Sequence, residues 1–473
     1  MPDEPAQADL ERKSLAELHR LAAELGVAGF RALRRQELVE AIADRVAGGA
    51  GSSDQDRTLE ELEQPLDRES ESVADEPRGG VMEGSSAVRS WEAEGGAAAE
   101  EPDADAEAEL QAGVLDLVPD GFGFLRVEGL GRSHDDVYVT RAIVRRLGLR
   151  RGDEVAGPTR RLRRGERHPS LARVETVNGR PAEEPAPERP RFAALTAIHP
   201  VERLRLRCEQ GELGPRMVDL LAPLGRGQRC LIAAPPGAGA TTLLRELTLA
   251  ITREDRVTPL LVLVDSRPEE VTDWARSVDM PIHAAASDRS SDAQVQLAEL
   301  ALERAKRLVE QGEDVVLLLD SISRLARAHS LAQPRPRRDG DDSNGAADAS
   351  GVQAAKRWFS AARNTEEAGS LTIIATAHVT PGPLPGLLHG ALLDVANMEL
   401  ALDPELARAG HHPALDMRRS HNCREAELVA EPQLGSIQRL RRSLIALGPE
   451  QAWSEITDRL RSTQSNDDLL ASI

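Results

Sequence analysis

The segment Ala234-Pro-Pro-Gly-Ala-Gly239-Ala240-Thr241-Thr242 constrains this chain more than any other. It lies between an apolar run, Cys230-Leu-Ile-Ala-Ala234, and a helix-forming run from Thr242 to Ile251. A strand, a Gly-rich turn and a helix in that order aim backbone N–H groups and a helix N-terminus at a phosphate. In such loops a lysine reaches the β- and γ-phosphates and a Ser/Thr hydroxyl holds Mg²⁺. Thr241 stands at the hydroxyl position, but Ala240 stands where the lysine belongs. Pro236, Gly237, Ala238, Gly239, Ala240, Thr241 and Thr242 are therefore the candidate nucleotide contacts. Ordinary strand-to-helix turns also have this composition, so the rest of the chain has to decide.

From about Arg216 onward, apolar runs alternate with helical stretches: Leu260 to Val264, Val315 to Leu319 and Leu371 to Thr376. Continuous apolar runs of that length read as buried parallel strands of an α/β sheet. Val315 to Leu319 ends in Asp320-Ser321, an acid placed to hold Mg²⁺ through water, so Thr241 and Asp320 form the candidate metal pair. Leu260 to Val264 ends in Asp265-Ser266-Arg267-Pro-Glu269-Glu270. That end could carry a water-activating carboxylate, or be a helix start capped by Ser266.

At 473 residues the chain has length for roughly three domains. Ser14-Leu-Ala-Glu17 is a capping box opening the first of two amphipathic helices, and a helical module is expected over 1–46. Residues 47–111 are rich in Gly, Ala, Ser, Glu and Asp, with Trp91 the only aromatic, and are expected to be a disordered acidic linker. About −15 of the net charge of −20 falls within 51–110. That block conceals a basic one: Arg141 to Arg173 holds eleven arginines against three acids, a solvated face or a polyanion site. No stretch approaches the ~18 uninterrupted apolar residues of a membrane span, and the N-terminus lacks the blocks of a signal peptide. A soluble cytoplasmic protein is expected. Cys208, Cys230 and Cys423 show no metal-ligand spacing and are expected to be small buried residues.

Short alternating runs between Gly and Asp turns follow: Val114 to Val118, Gly121 to Leu125, Asp136 to Val139 and Asp153 to Ala156. They predict a small β-barrel over 112–178, joined by a connector over 179–215 to an α/β domain over 216–473. Asp120-Gly-Phe-Gly-Phe-Leu-Arg126 places Phe122 and Phe124 on one face of a strand, with Arg126 next on that face. Rings at period two beside a basic run make a stacking platform for unpaired bases, which Tyr138 extends. The alternative is that both rings face the barrel core.

In combination, several motifs resemble the bacterial transcription termination factor Rho family. They are Asp120 to Arg126, Asp135-Asp-Val-Tyr-Val139, Gly225-Arg-Gly-Gln-Arg229, Arg267-Pro-Glu-Glu-Val-Thr272, Asp320-Ser-Ile-Ser-Arg-Leu-Ala-Arg327, Ala361-Ala-Arg-Asn364, Gly369 to Thr376, Asn397-Met-Glu-Leu400 and Ser465-Asn-Asp-Asp468. The resemblance covers residues 14–45 and about 112–473. It implies a hexameric RNA-dependent ATPase and RNA translocase: a helical N-terminal module, an OB/cold-shock-like barrel and a RecA-like P-loop domain with ATP and Mg²⁺ between ring subunits. The barrel would bind single-stranded, pyrimidine-rich RNA through Phe122, Phe124, Arg126, Asp136, Tyr138, Glu166 and Arg167, with His168 replacing the usual tyrosine. The transcription complex would be the partner, with no membrane involved.

The departures fall at catalytic positions. The family loop reads Ala-Pro-Pro-Lys-Ala-Gly-Lys-Thr, so Gly237 and Ala240 replace both lysines. Ser266 stands where the family has its water-activating glutamate. The arginine finger is either Cys423 without a gap or Arg424 with one inserted residue. The channel loop from Thr380 to Leu393 holds neither Lys nor Arg, and the one around Asp341 to Ser350 is also altered. Asp320, Arg267 and Arg424 are the catalytic candidates that persist, and His412 can stack on an adenine. Two functions follow as expectations: a termination factor with weak nucleotide binding and impaired hydrolysis, or an inactive RNA-binding paralogue that regulates, or joins rings of, an active Rho.

Overall fold

The computed structural model describes residues 109–473 apart from 161, 163, 164, 184–187, 210, 333–341 and 380–382, with the backbone alone at 342–347, 383 and 384, together with Val39. The expected N-terminal helical module and acidic linker, part of the arginine run and much of both channel loops lie outside the described residues. Glu101–Ile473 form one compact unit.

Its first part is a barrel. β1 (Leu110–Leu117) pairs antiparallel with both β2 (Gly123–Arg126) and β4 (Glu154–Arg160), which closes the sheet. β3 (Val137–Val139), β5 (Ser170–Leu171), β6 (Thr176–Val177) and β7 (Arg180–Pro181) complete it. The last three are two-residue strands, too short to show any periodicity in sequence. Alternation decides the inside: Leu115, Leu125, Val137, Val139, Val155 and Leu171 fill the barrel, and their neighbours face out.

The second part is a RecA-like α/β domain. β8 (Ala197–Ile198) and β13 (Asn364–Thr365) form a small ribbon. The main strands are β9 (Arg229–Ala234), β10 (Thr258–Ser266), β11 (Ile282–Ala286), β12 (Val315–Asp320), β14 (Leu371–His378), β15 (Met398–Ala401) and β16 (His421–Asn422). Their order is β11-β10-β12-β14-β9-β15-β16, parallel throughout except for the β15–β16 pair. Both faces are covered. Cys230, Ile232, Leu261, Leu263, Val316 and Leu318 pack on one side, and Leu231, Ala233, Val262, Val264, Leu317 and Leu319 on the other. That double burial is why these strands read as unbroken apolar runs. β9 lies in mid-sheet, one strand (β14) away from β12, so the loop after β9 and the acid ending β12 open at the same edge, outside the carboxyl ends of the strands.

The barrel sits against the helix Ser291–Glu310. Gly152, at φ +85, lets its backbone approach: a Cβ there would stand 2.5 Å from the carbonyl carbon of Glu303. Arg150 pairs with Glu310 at 2.8 Å, and Arg304 bridges to Glu154 and donates to Asn178 Oδ1 at 3.0 Å. Beside this junction, burial and then the nearby Arg304 hold His283 of β11 down at about 4. The unfolded chain takes up that proton near pH 6.5, the folded one only near 4, so stability is full above 6.5 and falls as pH drops between those values. The expected slope is at most about 1.4 kcal/mol per pH unit. Urea midpoints measured from pH 7 to 4.5 should fall less steeply in His283→Asn than in the unmodified chain.

The cysteines divide. Cys230 is fully buried, with its thiol pushed upward by burial, and Cys208 is half-buried and raised to about 12, chiefly by burial. Cys423 is exposed, against the expectation of burial, because it follows the edge strand β16 in a surface turn.

Candidate nucleic-acid interface and nucleotide site

Phe122, Phe124, Tyr138 and His168 form one cluster on the barrel. Ring centroids lie 6.0 Å apart for Phe122–Phe124, 5.5 Å for Phe122–Tyr138, 5.8 Å for Phe124–Tyr138 and 5.3 Å for Phe124–His168. All four are half-buried, and none belongs to the barrel core, which takes Leu125 and Val137 from the opposite face of the same strands. β2–β3 pairing puts Phe124 directly across from Tyr138, and β3–β5 pairing brings the chain after His168 alongside. Burial raises the Tyr138 hydroxyl, which stays a neutral donor at physiological pH.

Arg126 and Asp136, read from sequence as RNA contacts, are buried beside this cluster, Arg126 two residues after Phe124 on the same face of β2. The Arg126 side chain is 5% exposed. It pairs with Asp116 at 2.5 Å and with Asp136, while its guanidinium carbon sits 5.7 Å from the Phe124 ring. Arg151 holds the other oxygen of Asp116 at 2.9 Å, and the Ser133 N–H donates to Asp136 at 3.1 Å. These charges form a buried clamp beside the rings. Glu166 pairs with Arg160 at 3.1 Å, and Arg167 is exposed.

In the second domain the loop after β9 turns through Gly237 (φ +79) and Gly239 (φ +91), which caps the helix Ala240–Thr252. Only glycine takes these conformations without cost, and the Ala238 N–H closes the turn on the Pro235 carbonyl at 3.1 Å. A Cβ on Gly237 would meet nothing within 4 Å, so that face is open. Thr241 Oγ1 donates to Asp320 Oδ2 at 2.7 Å, and Thr376 Oγ1 donates to Asp320 Oδ1 at 2.7 Å. Asp320 is 3% exposed. Thr376 was missed from sequence because only the β12–β14 pairing brings it to Asp320.

Ser266 is 2% exposed, and its hydroxyl accepts from Arg324 Nη1 at 3.3 Å. The same nitrogen reaches Glu270 at 3.4 Å. The helix cap is Arg267, not Ser266: the Arg267 N–H donates to Glu270 at 3.1 Å, while its side chain is exposed. Glu270 belongs to the strand end read from sequence as a place for a carboxylate, whereas Arg324 was missed as its partner, because it comes from the helix Ile322–Ala332 that follows β12. Arg424 and Cys423 are both exposed after β16, and Arg424 pairs with Glu427. His412 approaches Gly239 and pairs with Glu246 at 2.8 Å.

Magnesium triphosphate would meet a divided site here. The backbone cradle, Thr241 and Asp320 fit phosphates and a water-bridged Mg²⁺. Among the described residues no group of three or more His, Cys, Asp or Glu could hold a metal by itself. The side chains at 237, 240 and 266 are Gly, Ala and Ser, and bring neither a cation nor a carboxylate to the site.

Three stretches match known domain families: residues 9–51 the Rho termination factor N-terminal domain, 111–183 the Rho termination factor RNA-binding domain, and 214–422 the nucleotide-binding domain of the ATP synthase alpha/beta family. The chain is 40% identical to transcription termination factor Rho of Thermotoga maritima over 362 residues, 76% of this chain and 84% of that one. It is 42% identical to the Rho factors of Micrococcus luteus over 373 residues and Mycobacterium leprae over 384. Those matches span 53% and 62% of the two proteins' own lengths. Among the described residues no helix is long and apolar enough to cross a membrane.

Proposed function

Because the chain belongs to the Rho transcription termination factor family, we propose that it binds single-stranded, pyrimidine-rich RNA on its barrel and acts on the transcription complex with an ATPase of impaired turnover. The observation that carries this is the half-buried ring cluster of Phe122, Phe124, Tyr138 and His168, lying outside the core beside a buried charge clamp. Unpaired bases stack on such rings, and the arginines nearby draw in the backbone. The proposed site residues are the four rings with Glu166 and Arg167 for RNA, and Pro236 to Thr242, His412, Asp320, Arg267 and Arg424 for ATP and Mg²⁺. The subunit would work in the cytoplasm, in a ring of like copies or mixed with lysine-bearing relatives. The mixed ring is favoured by Ala240 and Ser266, which leave a subunit able to hold RNA while others turn over ATP.

Phe124→Ala with Tyr138→Ala should weaken polycytidylate binding about 30-fold or more, since each stacked base contributes ~1–3 kcal/mol. Filter binding of the unmodified and doubly substituted chains at fixed salt checks this. Equal affinities would remove the barrel from RNA recognition.

A further inference from the structure

We propose that His412, oriented by Glu246, presents to a bound polyphosphate the positive charge that Ala240 withholds. The proposal rests on the reading of this loop as a nucleotide site.

Three observations bring it together. First, His412 lies against the loop itself: its Nδ1 is 3.5 Å and its Cε1 3.8 Å from where a Cβ on Gly239 would stand. Among the described residues that Nδ1 has no hydrogen-bond partner, whereas Nε2 meets Glu246 Oε1 at 2.8 Å. Second, Glu246 stands on the helix that begins at the loop, two turns in, so the pair is anchored to the element whose N-terminus faces the ligand. Its other oxygen, Oε2, is buried and unpartnered, packed so closely against Gly214 that a Cβ there would stand 1.9 Å away. The carboxylate is thus fixed on the far side of the imidazole from the loop. Third, the ring is half-buried at the wall of the loop, where a contact with a bound anion is less screened than in open water.

The chemistry follows from the two nitrogens. With Nε2–H donated to Glu246, a second proton on Nδ1 turns the edge facing Gly239 into a cationic donor. The pair then forms a dipole whose positive end meets the loop. A lysine at 240 would do this from the helix start; His412 does it from the opposite wall. Glu246 is a positioning residue. His411, the neighbouring imidazole, is occupied elsewhere, stacked 4.2 Å from Trp453.

Ligand binding to the full chain separates charge from stacking. The probes are Mg-ATP, inorganic tripolyphosphate and adenosine, measured by calorimetry on the unmodified chain, His412→Phe, Glu246→Gln and Ala240→Lys, each checked for an unchanged melting curve. His412→Phe keeps an aromatic ring and removes the charge. It should lose about 10-fold or more in tripolyphosphate and Mg-ATP affinity while binding adenosine as before. Glu246→Gln should show a smaller loss of the same pattern. In Ala240→Lys, adding His412→Phe should cost much less than it does alone, because the lysine then carries the charge. Unchanged tripolyphosphate affinity in His412→Phe overturns the proposal and leaves the ring as a base platform. Tripolyphosphate binding seen only in Ala240→Lys also overturns it, while the nucleotide site survives; no binding to any variant overturns the nucleotide reading itself.

Discussion

Ala240→Lys with Ser266→Glu should raise RNA-stimulated ATP turnover by at least about 10²-fold over the unmodified chain. The two substitutions address separate deficits. A charge-assisted contact contributes about 1.5–3 kcal/mol, and a general base about 10²–10⁴-fold in rate. A serine hydroxyl cannot take a proton from water at neutral pH, and Ser266 is already engaged by Arg324 at 3.3 Å. A glutamate in its place would meet the same guanidinium, which positions a carboxylate at the end of β10. Ala240→Lys alone should act mainly on affinity for Mg-ATP, and Ser266→Glu mainly on the maximal rate. Because the groups act on one transition state, their effects should not add. Turnover measured with and without polycytidylate decides the matter. An unmodified chain as fast as the double variant would mean that other residues complete a working motor, and the proposed impairment would be wrong.

Arg126→Met should destabilise the barrel by about 3–5 kcal/mol, the cost of leaving buried carboxylates without their cation. Asp116 would retain Arg151, and Asp136 would retain the Ser133 N–H, so Asp136 carries most of the loss. Adding Asp136→Asn should recover part of it, because a neutral amide in the same place needs no counter-charge. Denaturant midpoints of the two variants measure this directly. RNA affinity should follow the fold: in the double variant, affinity should recover along with stability if Arg126 acts through the Phe124 ring. Recovered stability with RNA binding still lost would instead make Arg126 a direct phosphate contact.

The chain announces its α/β domain through unbroken apolar runs, because strands buried on both faces have no polar side to display. The Gly-rich turn after β9 was legible for a similar reason: its glycines are required by backbone geometry, and Gly237 and Gly239 do take positive φ. The ring cluster was half legible. Period-two spacing put Phe122 and Phe124 together, but whether that face met the core was settled only by the pairing of β2 with β1 and β3, which sends Leu125 inward. Arg126 read as a surface cation because its two acids, Asp116 and Asp136, each lie ten residues away on neighbouring parts of the barrel.

The residue identities alone therefore determined the family, the long buried strands of the α/β domain, and the absence of lysine at 237 and 240 and of glutamate at 266. Tertiary structure alone decided what stands near those gaps: Arg324 against Ser266, Thr376 on Asp320, and His412 with Glu246 against Gly239. The physical reason is one of range. Propensity, periodicity and turn chemistry act over a few residues, whereas the hydrogen bonds among these contacts join groups 56 to 166 positions apart. Only the crossovers of a parallel sheet bring such groups to one edge.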